Sequence, residues 1–249
     1  MHTRTAETAR PHIVARTLRA VLVVVLVLAV ACLLYFGTRG FNLYREAIEA
    51  KGLDAMAAAI EQEPGYARTD ELPELYLDAV VAVEDHRFYL HPGFDLIATG
   101  RALANDLRAG AIIEGGSTIT QQLAKNQYFT QEQTIERKVA EVFMALTIEQ
   151  HFSKQKILEL YVNSIYFGDG YQGIAAASEG YFGCTPAQLT ASQATLLAGI
   201  PNAPSAYAPT EKPDLALARQ RIVLQKMVDH QVISNYEAHR IVAENPALS

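Results

Sequence analysis

The chain lacks the residue sets of several common site chemistries. Only two of its 249 residues are cysteine, Cys32 and Cys184, far apart in sequence, so a disulfide framework is not a source of stability. No Gly-Lys-Ser/Thr string occurs, which excludes a Walker-type nucleotide hydrolase. No His-Glu-x-x-His string occurs, which excludes the zinc-protease pattern. His86 and His91 are five residues apart, the wrong spacing for one helix face, and no third ligand is near, so neither reads as a metal ligand. Basic residues are outnumbered. Of 21 Lys and Arg and 27 Asp and Glu, five and one fall in residues 1–39, leaving 16 against 26, a net of −10, on the rest. No nucleic-acid partner is expected from that balance, and any anionic ligand needs a local basic cluster. Alternating strand patterns are almost missing, as are internal repeats and low-complexity tracts.

One long hydrophobic run is present. Residues 20–36, AVLVVVLVLAVACLLYF, are seventeen positions without a charge, and at ~1.5 Å per residue they cover most of a ~30 Å hydrocarbon layer. A secretory signal peptide is the competing reading. The run is longer than a usual signal core, and its end offers no small-x-small cleavage site, so it reads as an uncleaved anchor. Arg4, Arg10, Arg16 and Arg19 precede it and only Arg39 follows closely. The N-terminus, residues 1–19, is therefore expected in the cytoplasm, and the chain from about residue 40 on the outer face of the membrane.

Beyond the run the signals are helical, which predicts a mostly α protein with one transmembrane helix and an exported domain. Residues 37–65 read as a linker or stalk, with 41–62 helical. Pro73 suits the first position of a helix running to Glu84, with Leu75, Ala79, Ala82 and Val83 on one face. Asp95 can cap a helix ending before Gly110, Thr118 with Gln121 forms a capping box, and a helix over residues 134–152 has Ile135, Val139, Val142 and Leu146 as its buried stripe. Ser153 caps the next helix, where Ile157, Leu160 and Tyr161 repeat the spacing. Boxes recur at Thr185–Gln188 and Thr190–Gln193, and Asp214 and Ser234 open the last two helices.

Three stretches can carry chemistry. In AVVAVEDHRFYLHPGFD, residues 79–95, Glu84 ends an apolar helix face and is either its polar edge or a desolvated carboxyl suited to general-base work. In EGGSTITQQ, residues 114–122, bare glycines lead into a helix N-terminus, a natural anion site, with Lys125 one turn further on. In residues 136–168, Arg137 and Lys138 are four and three residues from Glu141, so both cations can lie beside one carboxylate. The plain alternative there is an exposed ion pair worth ~0.3–0.5 kcal/mol. Two acids in contrasting surroundings are how a site assigns two roles to carboxylates.

EDHRFYLHPGFD, EGGSTITQQLAKN, RKVAE, KQKILELYVNSIYFG, and AAASEGYFG with QATLLAGIPNAPSAYAP resemble, in order and spacing, the motifs of the family 51 peptidoglycan glycosyltransferases. The likeness covers about residues 66 to 245. It implies a lysozyme-like, two-lobed helical domain over 66–249 at the outer face of the bacterial plasma membrane. It also implies polymerisation of lipid II into glycan strands, with inversion at the anomeric carbon and release of undecaprenyl pyrophosphate. On that resemblance Glu84 is the general base and Glu141 the second catalytic acid, which organises basic residues or a divalent metal, Mg or Mn. Lys125 and Arg137 fall at the diphosphate, and Lys138, read from its place beside Glu141, is a third cation for a departing phosphate. Ser117, Thr118, Gln121 and Gln122 line the cleft, and Asp85, Phe88 and His91 shape it. No organic cofactor is implied. The partners are lipid II, the growing glycan, the membrane and other cell-wall synthesis proteins.

One departure is visible. Residues 127–136, QYFTQEQTIE, contain no Lys or Arg where some members carry a further cation, which implies greater reliance on metal. The apolar positions Phe94, Leu96, Ile97, Leu103, Ile112 and Ile113 fall where the family has a membrane-dipping lobe, with plain core packing as the alternative. Ser153-Lys154-Gln155-Lys156 is a Ser-x-x-Lys string, but no Lys-Thr-Gly follows, so transpeptidase activity is not expected. The competing functions are a glycan-cleaving lysozyme-like enzyme, which has no use for a pyrophosphate site, and a silent cell-wall scaffold.

Overall fold

The computed structural model describes residues 10–110, 116–130 and 132–244. Among them the regular structure is helical, with one isolated antiparallel bridge between Tyr166 and Gln172. Helix α1 (Arg10–Ala50) carries the apolar run and is long and apolar enough to cross a membrane. It does not stop where a linker was expected. It continues unbroken to Ala50 and lies along α6 (Ile135–His151).

The packed domain also begins before the boundary expected at residue 66. In α2 (Leu53–Glu61) the residues Leu53, Met56, Ala57 and Ile60 are buried in the main core. Their 3- and 4-residue spacing is an amphipathic stripe within an Ala-rich segment. The centre of the core is α7 (Lys154–Ser164), buried from Ile157 to Ser164 and capped by the Ser153 hydroxyl as its sequence requires. Against it pack α5 (Ile119–Tyr128), α8 (Gly173–Phe182) and α2, while α3 (Glu74–Glu84) packs on α9 (Ala191–Gly199). The N-terminus of α4 (Leu96–Ala109) is capped by Asp95 and its C-terminus by left-handed Gly110. After the one-turn α10 (Pro204–Tyr207), α11 (Pro213–Asp229) packs on α3 and α9, and α12 (Asn235–Ala243) closes the domain behind the Ser234–Glu237 box.

Three expectations need correction. Pro73 is the N-cap residue of α3 and not its first helical position, and the buried face is Tyr76, Ala79, Val80 and Ala82, with Leu75 and Val83 only half buried. Asp214 lies in the first turn of α11, whose N-cap is Lys212. In α6 the buried residues are Ala140, Glu141, Met144, Ala145 and Ile148, while Ile135 is exposed. The expected stripe is rotated because α6 has two covered faces, one on the core and one on α1, where Phe143 meets Phe41. A single-face pattern cannot describe such a helix, and the rotation carries Glu141 inward.

Candidate functional site

Glu84 is the last residue of α3, so the helix delivers its carboxylate to a cleft of about 810 Å³ bordered by α3, α4, α5 and α11. Its side chain is 8% exposed. Oε2 accepts a hydrogen bond from Gln122 Nε2 at 2.7 Å, whereas Oε1 has no hydrogen-bond partner and faces Arg219 Nη2 at 3.8 Å. Burial pushes this carboxyl above its usual range, and the Gln122 bond and the Arg219 charge only partly oppose the push. Tyr161 holds the amide in place by donating its hydroxyl to Gln122 Oε1 at 3.2 Å. Burial keeps that phenol protonated by raising it well above its normal range. Glu84 therefore lines the cleft with one bonded oxygen and one buried oxygen that has no hydrogen-bond partner, a carboxylate with spare capacity to accept a proton.

Lys125 lines the same cleft from α5, one turn past Gln122. Burial lowers its ammonium from the usual range; Glu141 and Glu84 pull the other way, and Arg137 and Lys138 add to the lowering. Beside it, Glu141 is 1% exposed, with Arg137 Nε 3.0 Å from Oε1 and Lys138 Nζ 2.8 Å from Oε2. The exposed-ion-pair alternative fails at that burial. The Arg137 contact is a charge pair without an aligned hydrogen bond, and Arg137 Nη1 also donates to Thr130 O at 3.0 Å. Lys138 Nζ bridges to Ser117 Oγ at 2.6 Å. Ser117, Gln122 and Lys125 thus reach the cleft wall, and Arg137, Lys138 and Glu141 stand directly behind it.

Five expected substrate contacts lie deeper. Phe88, His91, Asp85, Thr118 and Gln121 are buried. Asp85 takes His91 Nε2 at 3.0 Å and accepts from Ile119 N at 3.1 Å. The Thr118 hydroxyl accepts from Gln121 N and donates to Gly93 O at 2.7 Å. The anion expected at this helix N-terminus is therefore the protein's own Asp85. Gly93 permits the close packing: its φ is +97°, and a Cβ there would meet Ala145 O at 2.8 Å. Of the glycine approach, Gly115 lies outside the described residues, as do Ile112 and Ile113.

The model of the transglycosylase family matches residues 53–228. This chain belongs to the transglycosylase family. It is 46% identical over 173 residues to penicillin-binding protein 1A of Aquifex aeolicus (strain VF5), covering 70% of this chain and 24% of the relative. It is 44% identical over 185 residues to penicillin-binding protein 1F of Bacillus subtilis (strain 168), covering 74% and 26%. Against the crystal structure of penicillin-binding protein 1A from Haemophilus influenzae the identity is 24% and the TM-score 0.46, over 76% of this chain and 19% of that one. The chain spans about a quarter of the length of the curated relatives it matches.

In this transglycosylase, Ser153 of the Ser-x-x-Lys string is the cap of α7, accepting from Lys156 N at 3.2 Å. Lys156 Nζ is taken up by Glu61 and Glu159, each at 2.6 Å. Serine and lysine therefore serve the helix and the core. The donor set around Glu141 does not fit a protein-held divalent ion, since its oxygens face Arg137 and Lys138. Among the described residues no group of three His, Cys, Asp or Glu gathers to hold one.

Reasoning from sequence missed Arg219, Arg101, Lys226 and Asn202, all in the cleft wall. Arg219 sits on α11 with Nε donating to Gly199 O at 3.2 Å. Nothing in its local pattern marks it, because its partners belong to α3 and α9. Core packing is also the wrong reading for Leu96 and Ile97, which are 75% and 61% exposed, alongside exposed Tyr89, Leu90 and Leu107. Phe94 is half buried, and the side chain of Leu103 is outside the described set.

At the cleft rim His86 and His230 stack with ring centroids 4.2 Å apart and planes within 6°. Burial lowers both imidazoles. For His86 the next causes are His230 and Arg101, and for His230 they are Lys226 and Arg101, with Asp85 and Asp229 opposing. Below the ordinary value of 6.5 the unfolded chain takes up protons that the folded pair resists. The pair's contribution is therefore complete above that pH and is lost as pH falls through the depressed values. Denaturation at pH 7 and 5 should show a smaller acid loss in His86→Gln than in the parent, and parallel losses would remove the pair from the pH response.

Proposed function

We propose that this chain is a membrane-anchored peptidoglycan glycosyltransferase that polymerises lipid II with inversion at the anomeric carbon and releases undecaprenyl pyrophosphate. The observation that carries the reading is Glu84, desolvated at a helix end, with Oε1 free of hydrogen bonds and the residue lining a cleft whose neighbouring walls carry cations. In that reading Oε1 takes the proton of the acceptor sugar 4-hydroxyl as the oxygen attacks the anomeric carbon of the growing chain. The leaving diphosphate gathers negative charge beside Lys125, with Arg137 and Lys138 behind it. Lys125 suits this role because it lines the cleft and its ammonium has no hydrogen bond or ion pair among the described residues.

α1 anchors the chain with its N-terminus in the cytoplasm, on the strength of the arginines before the run. The exposed apolar side chains Tyr89, Leu90, Leu96 and Ile97 offer the membrane a second contact. No transpeptidase reaction is assigned to the Ser153 string, since both of its functional groups are engaged elsewhere.

The test is the full chain with lipid II, scored for product length. Longer glycans are the expected result, while shortening of preformed strands without polymer would replace the reading by a glycan-cleaving one. Lys125→Ala should reduce the rate by roughly 10²-fold, the scale of one lost charge-stabilising donor, without lowering the melting temperature. An unchanged rate would remove Lys125 from the diphosphate site.

A further inference from the structure

α1 and α6 run in the same direction, with contacts that advance along both helices. Gly40 faces Val139, Phe41 stacks edge-on against Phe143 at 5.3 Å, and Tyr44 OH meets Thr147 Oγ1 at 3.0 Å. Gly40 is the buried residue of α1 among those described. A Cβ at position 40 would stand 2.6 Å from Val139 Cβ and 2.8 Å from Glu136 O, so the helices are close enough there that only glycine fits. This register gives a height. Val139 is level with Gly40, and Arg137 and Lys138 precede it by two and one residues. By that contact they are level with residues 38 and 39, and by the Phe41–Phe143 contact with residues 35 and 36, so they stand at the level of Phe36, where the apolar run ends. At ~1.5 Å per residue that is within about 5 Å of the hydrocarbon edge. The cations point away from α1, since Glu141 and its partners occupy a different face of α6 from Val139, Phe143 and Thr147.

We propose that the α1–α6 contact, locked at Gly40, is a depth gauge that holds the Arg137–Lys138–Glu141 cluster at the level of the lipid phosphates. Its ligand there is a diphosphate carried on a membrane-embedded chain. The inference rests on the function proposed above. A lipid-linked diphosphate has its height set by its own hydrocarbon tail, so a cation cluster displaced along the membrane normal must draw that tail into water or pull the domain down. Gly40 touches no substrate in this scheme. It is a positioning residue acting through α6, and α1 is then more than a tether.

The experiment inserts seven helix-forming residues between Gly37 and Thr38. That adds close to two full turns, keeps the facing side of α1 nearly unchanged, and lifts the domain by about 10 Å. Parent and insertion protein are compared at equal protein on lipid II in bilayer vesicles and on the same substrate dissolved in detergent. The expected result is a loss of roughly tenfold or more in kcat/KM in vesicles, with detergent activity within about twofold of the parent. Equal activity in both settings would overturn the proposal and leave α1 a passive tether. Equal loss in both would also overturn it, assigning the contact to the shape of α6 instead. Gly40→Val, which separates the helices without lengthening α1, should lower the melting temperature, and an unchanged melt would show the contact to be loose. Absence of polymer from the parent in detergent would overturn the proposed function itself, which keeps the two failures distinct.

Discussion

Glu84→Gln should abolish glycan polymerisation, with a fall of roughly 10²–10⁴-fold, the usual contribution of a positioned general base. The amide matches the carboxyl in shape and can still accept from Gln122, but it cannot take a proton from a sugar hydroxyl. The same substitution should not harm the fold. Because burial raises the Glu84 carboxyl, ionising it in place costs stability. That stability is complete below the unfolded-state value and is lost as pH rises through the folded one. At neutral pH the glutamine variant should therefore melt at the parent temperature or above it. In the parent, activity should rise with pH through the raised Glu84 value as the base ionises. Retained polymerisation in Glu84→Gln, or a collapse of its melting temperature, would each refute the assignment.

Glu141→Ala should behave in the opposite way, losing activity and stability together. Its carboxylate is 1% exposed, and Arg137, 13% exposed, has no other carboxylate within ion-pair distance among the described residues. Removing one member of a buried charge pair costs about 3–5 kcal/mol. The lower end applies here, because Lys138 is 46% exposed and Arg137 keeps the carbonyl of Thr130. For a domain of this size about 3 kcal/mol corresponds to roughly 6–12 °C in melting temperature. Thermal denaturation alongside the polymerisation assay measures both effects. A variant that melts with the parent would return Glu141 to the status of a surface residue.

The contrast between these two acids shows how far local pattern reaches. Both were singled out from their neighbours in sequence, Glu84 by the apolar helix before it and Glu141 by cations one turn away. Each still had a plain alternative that the local pattern alone favoured, since a helix edge and an exposed ion pair leave the same local trace. The alternatives failed through distant contacts. Gln122 reaches Glu84 from 38 residues away, and α1 covers a second face of α6 and rotates Glu141 inward. Asp85 and Thr118 moved the other way, from expected ligand contacts to buried supports of the α5 N-terminus. Arg219 left no local trace, because an arginine on an amphipathic helix is ordinary until the fold sets it 3.8 Å from a buried carboxylate.

The sequence by itself determined the helices and most of their starts. Capping boxes, N-cap hydroxyls and 3.6-residue periodicity act within four or five residues, and Thr118, Thr134, Ser153, Thr190 and Ser234 cap as their chemistry requires. It also determined the apolar run and the candidate acids and cations. Only the tertiary structure decided which carboxyl is stripped of water, which cation lies free in the cleft, where the domain begins, and how high α6 stands along α1. Those properties depend on burial and on charges brought together across long loops. Desolvation and pairing are properties of the space around a residue and not of its neighbours in the chain.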